Sequence, residues 1–357
     1  MGQKVLIKGT EAIGEAAIMA GCRHFFGYPI TPQNEVAEYI SKRMPEVGGC
    51  FLQAESELAA INMVYGAAGA GARAMTSSSS PGISLMQEGI SYIAAAELPC
   101  LIVNVMRGGP GLGGIQPSQS DYFQATKGGG HGDYHLVVLA PSSVQEMIDL
   151  IMEGFDIADQ YKNPVMILAD GMLGQMMEPV ELVPKKRIPR QLPPKDWATT
   201  GCDGSRQRNV VNSLFMIPEQ LEQRNLVLME KYKRIEENEI QFEAIGIEDA
   251  DAVIVAYGTM ARIARTIAQK AKGLGFNIGI FRPITLWPFP YDAISKIAET
   301  PDIKALFSIE MSAGQMVEDV KLAVAGKKPV HFYGRTGGMI PSPDEVLNYI
   351  SKILEVR

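Results

Sequence analysis

LIVNVM at residues 101–106, LVVLA at 136–140 and VMILA at 165–169 are short, nearly continuous apolar runs. A strand with one face in water alternates apolar and polar residues. Runs such as these belong to strands covered on both faces, as in a parallel sheet between helices. The segments around them have helical character. Residues 10–20 (TEAIGEAAIMA) predict an amphipathic helix capped by Thr10 and stopped by Gly21. HFFGYPI (24–30) reads as a strand, followed by a turn at Thr31-Pro32 and a helix over 34–43. Residues 56–73 form an Ala/Gly-rich helix with Ser56 as its N-cap, and further helices cover 83–95 and 142–158. The alternation is that of an α/β doubly wound domain reaching to about residue 180.

The composition then changes. Residues 184–195 (PKKRIPRQLPPK) hold four prolines and five basic residues, which reads as a solvated linker. Pro218 and Glu219 open a long helix over 218–243, in which Leu221, Leu228, Ile235 and Phe242 recur every seven residues beside Tyr232. That stripe suits either a second subunit or the helix's own domain. A third block, from DADAVIVAYGTMARIARTIAQKA (249–271), continues through IGIFRPI, a Pro-rich turn TLWPFP, a helix, and the strands ALFSIE and VHFY. The expected domains are 1–185, a linker and long helix over 186–247, and a smaller α/β domain over 248–357.

At 357 residues, with 46% hydrophobic and 20% charged residues, the chain has enough apolar material for two cores. Lys+Arg 33 against Asp+Glu 40 leaves a net charge of −7, which argues against nucleic acid as a partner. The N-terminal stretch carries Lys4, Lys8, Glu11 and Glu15, unlike a signal peptide, and no apolar run reaches the ~18–20 residues of a membrane span. A cytoplasmic protein is expected. The four cysteines never fall as C-x-x-C, so the chain has no spacing for an iron–sulfur or zinc cradle.

Gly69-Ala70-Gly71-Ala72-Arg73-Ala74 satisfies G-x-G-x-x-A. A dinucleotide fingerprint follows a strand and opens a helix, whereas these glycines close one, so they read as packing residues between helices. His131 and His135 follow three glycines and read as loop residues, not metal ligands, and no metal site is expected on this chain. Three features carry chemistry. Gly27-Tyr28-Pro29-Ile30-Thr31-Pro32 ends a strand in a hydroxyl between prolines, where open α/β sheets bind ligands. Gln53-Ala54-Glu55-Ser56-Glu57 places two carboxylates at a helix start, and the helix dipole favours Glu57 there whether its role is structural or catalytic. Arg107 follows a buried strand and precedes GGPGLGG, a setting for a surface arginine or for one forked onto a carboxylate.

Taken in order, GYPITPQNE (27–35), FLQAESELAAINMVYGAAGAGARAMTSSSSPGISLM (51–86), VNVMRGGPGLGG (103–114), GGGHGDY (128–134), IFRPITLWPFP (280–290) and EMSAGQM (310–316) resemble the alpha-type subunit of the 2-oxoacid:ferredoxin oxidoreductases across nearly the whole chain. Within that family the branched-chain type is the most similar, because 2-oxoglutarate types tend to read RGGPSTG where this chain has RGGPGLG (107–113). The resemblance implies a pyrimidine-binding domain for thiamine diphosphate followed by a transketolase C-terminal-like domain that lies near the path of coenzyme A. It makes Glu57 the carboxylate that hydrogen-bonds the aminopyrimidine and promotes the imino tautomer, with Glu55 a neighbour. It gives Thr31 and Arg107 the carboxylate and keto groups of the 2-oxoacid, and Pro29 and Ile30 main-chain contacts near the cofactor. Glu310 and Gln315 match the pattern as structural residues.

The G-D-G…N motif that holds Mg2+ and the diphosphate is missing, and Cys202-Asp203-Gly204 and His131-Gly132-Asp133 do not replace it. The resemblance therefore implies a beta-type partner subunit with that motif, small ferredoxin-like and gamma-type subunits carrying [4Fe-4S] clusters, and ferredoxin as acceptor. The expected reaction is oxidative decarboxylation of 3-methyl-2-oxobutanoate to an acyl-CoA. The alternatives are a 2-oxoglutarate or arylpyruvate substrate, or a scaffold without catalysis. Leu112 and Ile115, after Arg107, favour an apolar substrate side chain.

Overall fold

The computed structural model describes residues 4–183 and 190–355. Strand β1 (Lys4–Lys8) leads into α1 (Gly9–Met19). Strict alternation follows: β2 (His24–Gly27), α2 (Asn34–Glu46), β3 (Cys50–Gln53), α3 (Glu57–Gly69), β4 (Ala74–Ser78), α4 (Ser80–Ala95) and β5 (Leu101–Met106). After the short α5 (Tyr122–Thr126) come β6 (Val137–Leu139), α6 (Val144–Tyr161), β7 (Val165–Asp170), α7 (Gly171–Gln175) and β8 (Met177–Glu181). An irregular stretch precedes α8 (Pro218–Asn238) and β9 (Phe242–Ile245). The second unit comprises β10 (Ala252–Val255), α9 (Gly258–Lys272), β11 (Ile278–Pro283), β12 (Thr285–Trp287), α10 (Tyr291–Glu299), β13 (Ala305–Glu310), α11 (Met316–Val324), β14 (Val330–Gly334) and α12 (Pro343–Glu355).

The main sheet has the order β12-β6-β7-β5-β4-β2-β3, and every pairing in it is parallel except that of β12. Every residue of β5, β6 and β7 is buried, as the unbroken apolar runs require, and so is every residue of β4, although three of its five residues are polar. The chain steps from β2 outward to β3, then crosses back over β2 to β4. This reversal opens a crevice beyond the carboxyl ends of β2 and β4, the place where ligands bind in such sheets. The second sheet has the order β14-β13-β10-β11-β9, parallel apart from the antiparallel edge strand β9.

Several expectations need correction. Helix α1 starts at Gly9 after Lys8, whose backbone N–H donates to Glu11, so Thr10 lies inside the helix rather than capping it. Helix α8 stops at Asn238, and Phe242 opens β9, where its ring stacks on Phe281 at 5.0 Å. The Pro-rich turn contains a strand. Thr285–Trp287 pairs with Val137–Leu139 at the edge of the main sheet, so the second unit contributes a strand to the first. Of the basic stretch, 184–189 lie outside the described residues. Arg190 is no solvated linker residue, because it is half-buried and paired with Glu239 and Glu153. Close helix–helix approach comes from α4, where a side chain at Gly89 would strike Ile61, and not from Gly69.

The two units are bonded through buried polar groups. Gln119 donates to the Tyr257 carbonyl (2.9 Å) and accepts from the Met311 N–H (3.0 Å). Fully buried Asp170 accepts from the Thr259 hydroxyl (2.7 Å) and N–H (3.1 Å) while capping α7. Burial raises its pKa, and these donors oppose the rise. Glu310 accepts three backbone N–H bonds at the start of α11, and Gln315 bridges the Phe123 N–H and the Ser120 carbonyl, a structural role for both.

Candidate active site

Parallel strands share one carboxyl edge, so the segments leaving β2, β3, β4 and β5 converge there. The register sets Gly27 beside Gln53 and Ser78 beside Asn104. Thr31, Glu57, Ser80 and Arg107 therefore leave the same edge of the sheet.

Ser56 caps α3, its Oγ accepting the Ala59 N–H at 3.2 Å, and this makes Glu57 the first helical residue. Glu57 is buried, at 5% exposure, whereas Glu55 is exposed. Among the described residues no hydrogen bond or ion pair reaches the Glu57 carboxylate. Its Oε1 lies over Gly82 at the start of α4, 2.5 Å from where a Cβ would stand, and Ser78 Oγ lies 2.0 Å from that same point. The hydroxyls of Thr76, Ser78 and Ser79 are buried and unpartnered. A buried, unpaired carboxylate is costly unless a donor meets it. Sequence reasoning took TSSSSPG (76–82) only as part of the family resemblance and gave its small residues no place beside Glu57.

Arg107 is also buried, and its Nη1 donates to the Thr31 carbonyl at 2.9 Å and lies 3.4 Å from Thr31 Oγ1. Nη2 donates to the Leu112 carbonyl at 3.1 Å, and Nε has no partner. Thr31 and Arg107 are thus joined, and the guanidinium is held by carbonyls with no carboxylate paired to it among the described residues. Its charge is left to attract an anion. Thr31 is exposed, and the turn around it is pinned by the Ser77 hydroxyl donating to Gln33 (2.7 Å) and by Gln175 donating to the Pro32 carbonyl (2.7 Å). Pro29 is exposed and Ile30 half-buried on the same turn.

Thr31 opens on a cleft of about 790 Å³ lined by the apolar Ile115, Met172, Met176 and Ile340, by the amides of Asn34, Gln116 and Gln175, and by Glu35 and Glu38. A second cleft, of about 620 Å³, lies across the 108–111 loop, between Asp121 and the Met311–Ala313 segment. Glu57 lines neither. His131 and His135 are not brought together as ligands. His135 stacks on Trp287 at 4.5 Å, and burial lowers its pKa. Among the described residues no group of three His, Cys, Asp or Glu side chains is placed to hold a metal, and no helix is long and apolar enough to cross a membrane.

A family model described as "Pyruvate flavodoxin/ferredoxin oxidoreductase, thiamine diP-bdg" matches residues 15–240, and one described as "Pyruvate:ferredoxin oxidoreductase core domain II" matches 250–346. The chain is 50% identical over 348 residues to ketoisovalerate oxidoreductase subunit VorB of Methanothermobacter thermautotrophicus, covering 98% of this chain and 97% of that protein. It is 35% identical to 2-oxoglutarate synthase subunit KorA of the same organism, covering 99% and 100%. A solved 2-oxoglutarate:ferredoxin oxidoreductase of Magnetococcus marinus, with 2-oxoglutarate, coenzyme A and succinyl-CoA bound, matches with a TM-score of 0.85 and 27% identity, over 99% of this chain and 66% of that one. The residues present fit thiamine diphosphate, since Glu57 is a buried acceptor without a donor and Gly82 keeps the space beside it clear. With the site geometry, the two-unit fold and near-full-length matches in agreement, the chain belongs to the pyruvate flavodoxin/ferredoxin oxidoreductase family, as an alpha-type subunit of a 2-oxoacid:ferredoxin oxidoreductase.

Proposed function

We propose that this subunit serves a branched-chain enzyme, which converts 3-methyl-2-oxobutanoate and coenzyme A to an acyl-CoA and CO2 while reducing ferredoxin. The observation that carries the substrate is the Thr31 cleft beside Arg107: Ile115, Met172, Met176 and Ile340 line it for an apolar side chain, and Lys8, the cation next to it, is already paired with Glu35 at 3.0 Å. A second carboxylate on the substrate would meet Glu35 and Glu38, with Lys8 already engaged by Glu35 and no unengaged cation lining the cleft among the described residues. The 50% identity to a subunit named for ketoisovalerate supports the same reading.

In this reading residues 1–185 are the pyrimidine-binding domain, 186–247 a linker and long helix, and 248–357 a transketolase C-terminal-like domain. Bound thiamine diphosphate supplies a carbon nucleophile and accepts the electron pair left when CO2 departs. Glu57 holds a proton on the far pyrimidine nitrogen, and Pro29 and Ile30 offer main chain beside it. Arg107 neutralises the substrate carboxylate until CO2 leaves, and Thr31, already joined to Arg107, orients the keto oxygen. A beta-type subunit with a G-D-G motif holds Mg2+ and the diphosphate. Ferredoxin-like and gamma-type subunits complete the assembly and carry the [4Fe-4S] clusters.

The test is acyl-CoA formation by this chain alone and in complex with its partner subunits, with 3-methyl-2-oxobutanoate, 2-oxoglutarate and indolepyruvate. The complex should prefer 3-methyl-2-oxobutanoate by at least tenfold in kcat/KM, and the chain alone should give none. Preference for 2-oxoglutarate would overturn the substrate assignment, and turnover by the chain alone would overturn the half-site.

A further inference from the structure

The end of β5 is held by a group that the reaction above does not use. The Arg107 N–H donates to Ser80 Oγ at 3.1 Å. Ser80 Oγ in turn lies 2.5 Å from Asp121 Oδ2 and 3.3 Å from the Arg107 carbonyl. Asn104, three residues earlier on β5, donates to the same Asp121 oxygen at 2.9 Å. A serine hydroxyl has one hydrogen, and here it has two acceptors within reach. The carboxylate is both closer and charged, so it takes the hydrogen. The Ser80 lone pair is then left facing the Arg107 N–H. Asp121 thereby fixes the hydroxyl that grips the backbone of Arg107, and through Asn104 it grips the same strand at a second point.

Among the described residues no cation pairs with Asp121. Burial raises its pKa, against which Ser80 and Asn104 pull. Among the described residues it is the one charged residue lining the cleft across the 108–111 loop. A carboxylate kept there at a desolvation cost, bonded to Asn104 on the strand that leads to an arginine and to the α4 hydroxyl that accepts that arginine's N–H, has a positional role.

We propose that Asp121 is a positioning residue for Arg107, acting through the Ser80 hydroxyl to set how the guanidinium meets the substrate carboxylate. The inference rests on Arg107 as the ligand of that carboxylate. It is tested in the assembled complex by steady-state kinetics in 3-methyl-2-oxobutanoate. Asp121→Ala and Ser80→Ala should each raise KM roughly tenfold with kcat changed less than about threefold. Asp121→Asn and Ser80→Thr, which keep an oxygen acceptor and a hydroxyl, should restore most of the loss. In an Arg107→Ala background neither Ala variant should raise KM further, because the effect runs through Arg107. Should Asp121→Ala fail to assemble, Ser80→Ala carries the test. An unchanged KM in Ser80→Ala, or effects that add to that of Arg107→Ala, would overturn the proposal while leaving Arg107 in place. An unchanged KM in Arg107→Ala itself would instead remove the reading beneath it.

Discussion

Glu55 and Glu57 are two residues apart and chemically alike, yet the fold treats them oppositely. Ser56 turns the chain into α3, which leaves Glu55 in water and buries Glu57 against Gly82. The cap and the acid were legible in the sequence because capping is local. The neighbour was not, since Gly82 comes from α4, and contact across helices has no signature in residue spacing. Gly82 supplies a sharp test. Within a helix, Gly→Ala ordinarily stabilises by ~0.5–1 kcal/mol. Here the added methyl would stand 2.5 Å from Glu57 Oε1 and 2.0 Å from Ser78 Oγ, so both must move. Gly82→Ala should therefore raise the thiamine diphosphate concentration needed for half-maximal activity of the complex by at least tenfold. An unaltered requirement would mean that Glu57 does not meet the cofactor.

At the scale of elements, the three apolar runs were read as strands to within a residue or two, because a strand covered on both faces leaves a plain apolar run, whereas β4 (AMTSS) went unread because most of its buried residues are polar. The long helix was read less well. Its seven-residue stripe holds for Leu228, Tyr232 and Ile235, which are buried, but Leu221 is exposed and Phe242 belongs to the next strand. A periodicity that runs through a helix end into a strand cannot mark the boundary. The reading also missed Lys231, which is buried on the same face. Its Nζ donates to the Lys162 carbonyl (3.2 Å) and lies 3.5 Å from Glu97, with Arg224 also paired to Glu97. Burial lowers the Lys231 pKa to about 8, against the pull of Glu97. An unfolded lysine titrates near ~10.4. Between those values the unfolded chain binds more protons than the native one, so stability rises with pH across that window, by up to about 3 kcal/mol. The urea midpoint of the wild-type chain should therefore rise between pH 8 and 10 relative to that of Lys231→Met. A constant difference between the two would show that Lys231 stays charged.

At the scale of the molecule, two sheets were legible as two units, but their interlock was not. β12 leaves the second unit to pair with β6 at the edge of the main sheet, and Gln119, Asp170 and Gln315 bond across the junction. These are single polar residues and a three-residue strand, too short for any pattern to announce them. The interlock presents the 108–117 loop between both units, with Gly338 packed against Gln116. The second unit thus brings Ile340 to the Thr31 cleft, while in the proposed function the pyrimidine end of the cofactor depends on Glu57. The most direct measurement is 3-methyl-2-oxobutanoate-dependent ferredoxin reduction by the assembled complex carrying Glu57→Gln. The account predicts a loss of at least about a hundredfold in kcat with subunit composition unchanged. Turnover equal to that of the wild-type complex would contradict it and leave the chain a scaffold.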